Sequence, residues 1–212
     1  MLVEKIPQGP IGANTYIVFD ENSKEAVLVD LAGDICEIKP KLEKLGANLK
    51  YVLLTHAHFD HVLGLSTLKK EYPQAKVYLH KDDEILLENV PKQCAMFGFS
   101  SASVPSVDVL FDEDEKLKLG EFDIKIIHTK GHSKGSTCYL IDNELFSGDT
   151  LFYEEIGRCD LPGGSFSEIE KSIREKLFTL DEKITVHPGH GQDSTIGHEI
   201  KYNAYFGENS RY

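Results

Sequence analysis

The stretch Thr55-His56-Ala57-His58-Phe59-Asp60-His61 constrains this chain more than any other. It gathers three imidazoles and a carboxylate, the nitrogen and oxygen donors that zinc, iron and manganese favour. Its flanks fix where it sits. Tyr51-Val52-Leu53-Leu54 is apolar and β-prone, like a strand buried in a parallel sheet. Val62, Leu63, Leu65 and Leu68, running on to Lys70, have helical spacing. The donors therefore belong where a strand ends and a helix begins. On extended backbone His56 and His58 point to the same side, and Asp60 and His61 follow as the chain turns into the helix. One short loop can thus offer two donors to each of two adjacent metal ions.

The bulk numbers narrow the function classes. A chain of 212 residues is long for one domain, short for two, and able to bury a substantial core. A formal charge of −12 argues against a nucleic-acid partner, which calls for a basic stripe. It also gives no long-range steering to an anionic substrate, so attraction would have to come from bound metal or from local lysine and arginine. Cys36, Cys94, Cys138 and Cys159 are scattered without a CxxC pair, the pattern of free thiols in a reducing compartment. No apolar run approaches the ~20 residues that span a bilayer, and the opening residues lack the regions of a signal peptide. The expectation is a cytoplasmic protein without a membrane partner.

Along the chain, 14–19 and 25–30 read as neighbouring strands joined by a polar turn at Glu21-Asn22-Ser23. A helix is expected from Asp34 to Leu45, ended by Gly46. Residues 76–80 form a strand, followed by a charged helix over 82–89. Residues 91–107, with Met96, Phe97 and Phe99 among Gly, Ser and Pro, fit either a flap over the site or a helix packed on the core. From there the pattern is β-rich: 107–111, 116–119, 122–128, 136–142 and 144–146. Ser165-Phe166-Ser167-Glu168 matches a capping box, with Ile169, Ile173 and Leu177 on one helix face behind it. Residues 184–186 form a last short strand, and His198 opens a final helix. With no repeat, linker or low-complexity tract, a single domain over 1–212 is the simplest organisation. Interspersed strands and helices are compatible with layered α/β architectures without selecting one.

His-Ala-His-Phe-Asp-His fits the HxHxDH signature of the metallo-β-lactamase superfamily, and later segments resemble its glyoxalase II branch. Thr129-Lys130-Gly131-His132-Ser133-Lys134-Gly135-Ser136 resembles the family's TPGHTPGS, with Lys130 and Lys134 in place of its prolines and Ser133 a further departure. Asp149, in Phe146-Ser147-Gly148-Asp149-Thr150-Leu151-Phe152, resembles the family's bridging aspartate. His190, in His187-Pro188-Gly189-His190-Gly191, resembles its PGHG. Taken singly, an aspartate after glycine is a turn or cap residue and a histidine in a Gly/Pro loop is simply exposed. The resemblance implies a four-layer αββα sandwich in the α/β class. It implies two divalent metal ions, zinc first, with iron or manganese as alternatives. His56, His58 and His132 would hold one; Asp60, His61 and His190 would hold the other, with Asp149 bridging. Between two such metals a bridging water becomes hydroxide at neutral pH. Asp60 would be catalytic, orienting that nucleophile.

The implied activity is hydrolysis of a small-molecule thioester such as S-lactoylglutathione, by a short, glyoxalase II-like enzyme. Gly12-Ala13-Asn14-Thr15-Tyr16, Gly157-Arg158-Cys159-Asp160-Leu161-Pro162-Gly163-Gly164 and Thr195-Ile196-Gly197-His198-Glu199 extend the resemblance over nearly the whole chain. Arg158 stands where glyoxalase II enzymes use a basic residue to hold the glutathione backbone, and arginine suits carboxylates. A salt bridge to Asp160 is its alternative use. Asp160 replaces the tyrosine of the longer enzymes, and no room follows His198 for their C-terminal helical domain. Two other activities compete: a mononuclear-iron persulfide dioxygenase of the same superfamily, and a lactone hydrolase. Pro-Gly-His-Gly at 188–191 favours the dinuclear hydrolases over the former. His80, His128, His187 and His198 are read as structural, supporting or exposed. Metal identity, acyl group, thiol and oligomeric state stay open.

Overall fold

The computed structural model describes residues 1–99, 103–112 and 115–210. The chain forms two compact units, Met1–Asp112 with Lys118–Phe122, and Glu113–Leu117 with Asp123–Tyr212.

The first unit carries one sheet in strand order β1-β2-β3-β4-β5-β6. Its strands are β1 (Leu2–Gln8), β2 (Ala13–Phe19), β3 (Glu25–Val29), β4 (Asn48–Leu53), β5 (Lys76–His80) and β6 (Val109–Phe111). The β1–β2 and β2–β3 pairs are antiparallel, and from β3 to β6 every pairing is parallel. Parallel neighbours require crossovers, and helices supply them: α1 (Ile35–Leu45), α2 (Phe59–Val62) with α3 (Leu65–Glu71), and α4 (Glu84–Glu88) with α5 (Val90–Met96). Ile35, Ile38 and Leu42 of α1 and Leu65 and Leu68 of α3 pack with Ile17, Leu28, Val52, Val77 and Leu79 of the sheet in one core. Asp34 caps α1 by accepting from the Cys36 amide at 2.8 Å, and Gly46 ends it in the left-handed conformation at φ 62°.

In the second unit the strands β8 (Phe122–His128), β9 (Thr137–Ile141), β10 (Glu144–Gly148), β13 (Thr185–Pro188) and β14 (Ser194–Thr195) lie in the order β14-β13-β10-β9-β8. A short strand β7 (Leu117–Leu119) precedes β8, and β11 (Leu151–Phe152) pairs with β12 (Glu155–Ile156) as a separate hairpin. Helix α6 (Phe166–Ser172) widens into a π-helical turn over Ile173–Leu177, and α7 (Ile196–Tyr202) follows β14. Ile169, Ile173 and Leu177 meet Ile127, Cys138, Leu145 and Val186 of the sheet. β10 and β13 are parallel, so both deliver their following residues at the same end.

The elements depart from the sequence reading at several points, the β11–β12 hairpin and β14, absent from it, among them. β1 was absent from it because Pro7 and a polar alternation obscure the strand; as the edge strand of its sheet, β1 tolerates that proline. The helix after the histidine loop breaks at Leu63-Gly64, where a Cβ on Gly64 would stand 1.9 Å from the Gly33 carbonyl oxygen. The helix over 82–89 is a 3-10 turn, Lys81–Asp83, followed by the shorter α4. Residues 91–107 include a core-packed helix, with Val90 and Cys94 of α5 buried; residues 100–102 lie outside the described residues. Among the described residues no helix is long and apolar enough to cross a membrane.

Glu199 of α7 is fully buried and accepts from Ser194 Oγ, from the Glu154 amide at 2.9 Å and from Asn203 Nδ2 at 2.9 Å. Removing the carboxylate strands three donors. Glu199→Ala is expected to lower unfolding free energy by about 3 kcal/mol or more, and Glu199→Gln by less, since an unsatisfied buried donor costs roughly 1–3 kcal/mol. Urea denaturation of the whole chain checks this; equal, negligible losses would contradict it.

Candidate metal centre

In the first unit the donors leave the carboxyl end of β4, where ligand loops of parallel sheets collect. His56, Asp60 and His61 are buried and His58 nearly so. The His56 ring lies with its centroid 4.8 Å from that of His58 and 4.2 Å from that of His61. Beside them is Asp30, the residue after β3, held at a positive φ of 57°. Its carboxylate accepts from the Thr55 amide at 2.7 Å, from Thr55 Oγ1 at 2.8 Å and from His61 Nδ1 at 2.8 Å. Because the Thr55 hydroxyl donates to Asp30, its contact with His56 Nδ1 at 3.0 Å leaves the ring nitrogen as donor. One carboxylate thereby places a proton on Nδ1 of both rings, and a neutral ring then presents the Nε2 lone pair. His61 Nε2 faces Asp60 Oδ2 at 3.4 Å.

In the second unit His132 stands on the β8–β9 loop, and Asp149 and His190 follow the parallel strands β10 and β13. The Gly189 amide donates to the Gly148 carbonyl at 2.8 Å, tying the two strand exits together. His132 Nδ1 donates to the Arg158 carbonyl at 2.8 Å, an acceptor only, so here too Nε2 carries the lone pair. That atom faces Asp149 Oδ2 at 3.6 Å, and His190 Nε2 faces the same oxygen at 3.7 Å.

The His132 loop is braced by the helix behind it. Ser165 donates its amide to the Gly131 carbonyl at 2.7 Å, Ser172 Oγ donates to Lys130 O at 2.8 Å, and Lys176 Nζ donates to His128 O at 2.6 Å. Gly131, at φ 136°, lies so close to α6 that a Cβ would stand 2.2 Å from the Ile169 nitrogen.

These contacts test whether a metal fits. A neutral imidazole lone pair and a carboxylate oxygen repel unless a cation or proton lies between them. Ligand bonds of 2.0–2.2 Å in tetrahedral array put two ligand atoms about 3.3–3.6 Å apart. The three facing pairs, at 3.4, 3.6 and 3.7 Å, lie within or just beyond that spacing. His56, His61 and His132 are buried with Nδ1 engaged from behind, the support that metal-binding histidines need. The residues present therefore fit divalent metal.

Arg158 takes the salt-bridge alternative. Its Nε and Nη2 donate to the two oxygens of Asp160 at 2.8 and 2.7 Å, on an exposed surface, and the guanidinium holds the Asp160 carboxyl down at about 2. The other histidines have protein partners of their own. His80 Nδ1 accepts from the Asp82 amide at 3.2 Å, His128 Nε2 meets Lys134 O at 2.8 Å, His187 Nε2 meets Glu144 at 2.6 Å, and His198 Nε2 meets Glu154 at 3.0 Å. Sequence reading missed Asp30 and Thr55 as supports. The available signal was an aspartate ending the strand next to β4. Gly157 is a further support without a local signal: a Cβ there would stand 1.7 Å from the Asp149 carbonyl oxygen and 3.1 Å from His132 Nδ1.

Gly157→Ala is thus expected to displace Asp149 and His132 and to abolish tight metal retention. Gly191→Ala meets nothing within 4 Å and carries only the strain of its φ of 77°, about 1 kcal/mol. Metal content after gel filtration in chelator distinguishes them; equal retention would contradict the close approach.

The metallo-beta-lactamase superfamily model matches residues 8–190. The hydroxyacylglutathione hydrolase GloC of Haemophilus influenzae is 33% identical, the match covering 99% of this chain and 100% of that protein. Among solved structures, the BLEG-1 B3 metallo-beta-lactamase superposes with a TM-score of 0.88 at 35% identity, over 96% of this chain and 99% of that one. TTHA1623, solved in a di-iron-bound form, superposes with a TM-score of 0.86 at 32% identity, over 96% of this chain and all of that one. The chain belongs to the metallo-beta-lactamase superfamily and has its α/β fold.

Proposed function

We propose that this protein hydrolyses small-molecule thioesters of the hydroxyacylglutathione type at a dinuclear metal centre. The chain is a metallo-hydrolase of the metallo-beta-lactamase superfamily; the proposal concerns the metals' number, the ligands and the bond cleaved. The observation that carries it is the lone-pair geometry: Nε2 of His61 and His132 aimed at carboxylate oxygens at ligand spacing, with tautomers fixed from behind. In this reading His56, His58 and His132 hold one metal and Asp60, His61 and His190 the other, with Asp149 bridging. Zinc is the first candidate; the di-iron form of TTHA1623 keeps iron in view.

Bound metals would supply Lewis acidity and lower the pKa of water towards neutrality. The chain's own part is orientation. The Asp60 carboxylate would position the attacking water, take its proton and pass it to the departing sulfur. Water adds to the acyl carbon, the carbon–sulfur bond breaks, and a carboxylic acid and a thiol leave. No thiol of the protein competes as nucleophile near His132, because burial pushes Cys138 and Cys159 up to about 11, where they stay protonated. Arg158 would exchange Asp160 for a substrate carboxylate, giving an acidic protein one local cation for an anionic thiol. We assign the protein to a reducing, cytoplasmic setting, supported by its four free cysteines, with no nucleic-acid or membrane partner.

The hydrolase reading predicts thiol release from S-lactoylglutathione, abolished by chelator and by His56→Ala or Asp149→Ala. Arg158→Ala is expected to raise KM about tenfold with kcat little changed, as loss of uniform binding does. A steady-state assay checks both, with a β-lactam, a lactone and glutathione persulfide offered in parallel. Oxygen uptake with the persulfide and no thiol release would instead identify the dioxygenase, and turnover of the β-lactam or lactone alone would reassign the substrate.

A further inference from the structure

The ligand loop of the first unit runs irregularly from Leu54 to His58; the Leu54 amide still donates to Tyr78 of β5 and the His58 carbonyl accepts from the His61 amide, but the Ala57 and Phe59 amides need partners from elsewhere. Two side chains from the next crossover meet them. Asp83, 1% exposed at the end of the 3-10 turn, accepts from the Ala57 amide at 3.1 Å. Gln93 of α5 accepts from the Phe59 amide through Oε1 at 2.9 Å. Through Nε2 the same side chain donates to the Leu86 carbonyl at 2.9 Å and, at 3.4 Å, to the Ala57 carbonyl. Ala57 and Phe59 are the residues that alternate with the donors His56, His58 and Asp60. Each clamp thus holds a peptide unit between two donors.

The same helix adds an apolar brace. Phe59 stacks on Phe97 with centroids 5.2 Å apart and lies 5.5 Å from Phe99. Phe97 and Phe99 follow α5 directly, their amides donating to Gln93 O at 3.2 Å and Cys94 O at 2.9 Å. Val90 and Cys94 anchor α5 in the core, so Gln93 is presented from a rigid element.

We propose that Asp83 and Gln93 are positioning residues for the metal centre, setting the spacing of His56, His58 and Asp60 by clamping the Ala57 and Phe59 peptides. Neither touches the reacting atoms. The inference rests on the metal-ligand reading of the loop, and it locates the control of that geometry on the 83–99 segment. A burial-only role would make Asp83 and Gln93 tolerant of any isosteric, well-packed replacement. A clamp requires an acceptor opposite each amide.

The test is cobalt affinity of the metal-free whole chain, measured by competition with a chromophoric chelator, together with the cobalt absorption spectrum. Asp83→Ala and Gln93→Met remove the acceptors, and each is expected to weaken affinity about 10–100-fold, the usual cost of losing support behind metal ligands. Asp83→Asn keeps an acceptor and is expected to stay within about threefold of the parent chain with its spectrum; Gln93→Glu keeps the acceptor but turns an oxygen towards the Leu86 and Ala57 carbonyls, and is expected to fall between the parent chain and Gln93→Met. Affinity unchanged in Asp83→Ala and Gln93→Met overturns the inference, as does equal weakening in the acceptor-keeping and acceptor-removing members of each pair. If Asp83→Ala does not fold, the Gln93 pair decides. Failure of the parent chain to bind cobalt would overturn the metal-ligand reading and this inference with it; a parent chain that binds while all four variants match it overturns this inference alone.

Discussion

The Asp30 carboxylate is the constraint on which the histidine loop depends. It takes three donors, two from Thr55 and one from His61, and through the Thr55 hydroxyl it also fixes His56. A histidine ring that could rotate or exchange tautomers would offer a metal the wrong nitrogen part of the time. Here the outer nitrogens are occupied, so the inner lone pairs have one direction. The positive φ at Asp30 is a local cost of roughly 1–2 kcal/mol accepted to turn that carboxylate under the loop. Burial strengthens the arrangement, because hydrogen bonds to a charged group gain in a low-dielectric setting.

Each unit solves the same problem with the tools its own sheet provides. In the first, parallel β3 and β4 end side by side, bringing Asp30 up to the loop that follows β4. In the second, parallel β10 and β13 end side by side and deliver Asp149 and His190, while the β8–β9 loop brings His132 against the same Asp149 oxygen. Backbone supports replace the buried carboxylate there: the Arg158 carbonyl fixes His132, and Gly157 lets that strand segment pass close enough to do so. The candidate ligands thus sit on loops and on the first turn of α2, while rigid elements set their directions.

The histidine loop was legible in the sequence because its donors are contiguous and flanked by a strand pattern and a helix pattern. The α/β class followed from the superfamily resemblance, since the periodicities alone fit several layered folds. His132, Asp149 and His190 had no local signal beyond Gly- and Pro-rich loops, and only their order beside a family pattern marked them. The supports were hidden for a different reason. Thr55 is 25 residues from Asp30, His61 is 31 from it, and Phe59 is 34 from Gln93, so the pairings exist only once the parallel crossovers have formed. Gly157 shows the same limit, since the need for glycine there comes from a carbonyl oxygen of Asp149. Arg158 could be read two ways from sequence, and its bidentate pair with Asp160 is a contact between near neighbours that any exposed Arg-x-Asp can make.

The most direct test of the dinuclear account is the number of ions the chain holds. Native mass spectrometry of the metal-free chain titrated with zinc should show two ions bound at saturation. One ion should remain in His58→Ala and one in His190→Ala, the two variants losing different sites. Saturation at a single ion in the parent chain, or two ions persisting in both variants, would contradict it.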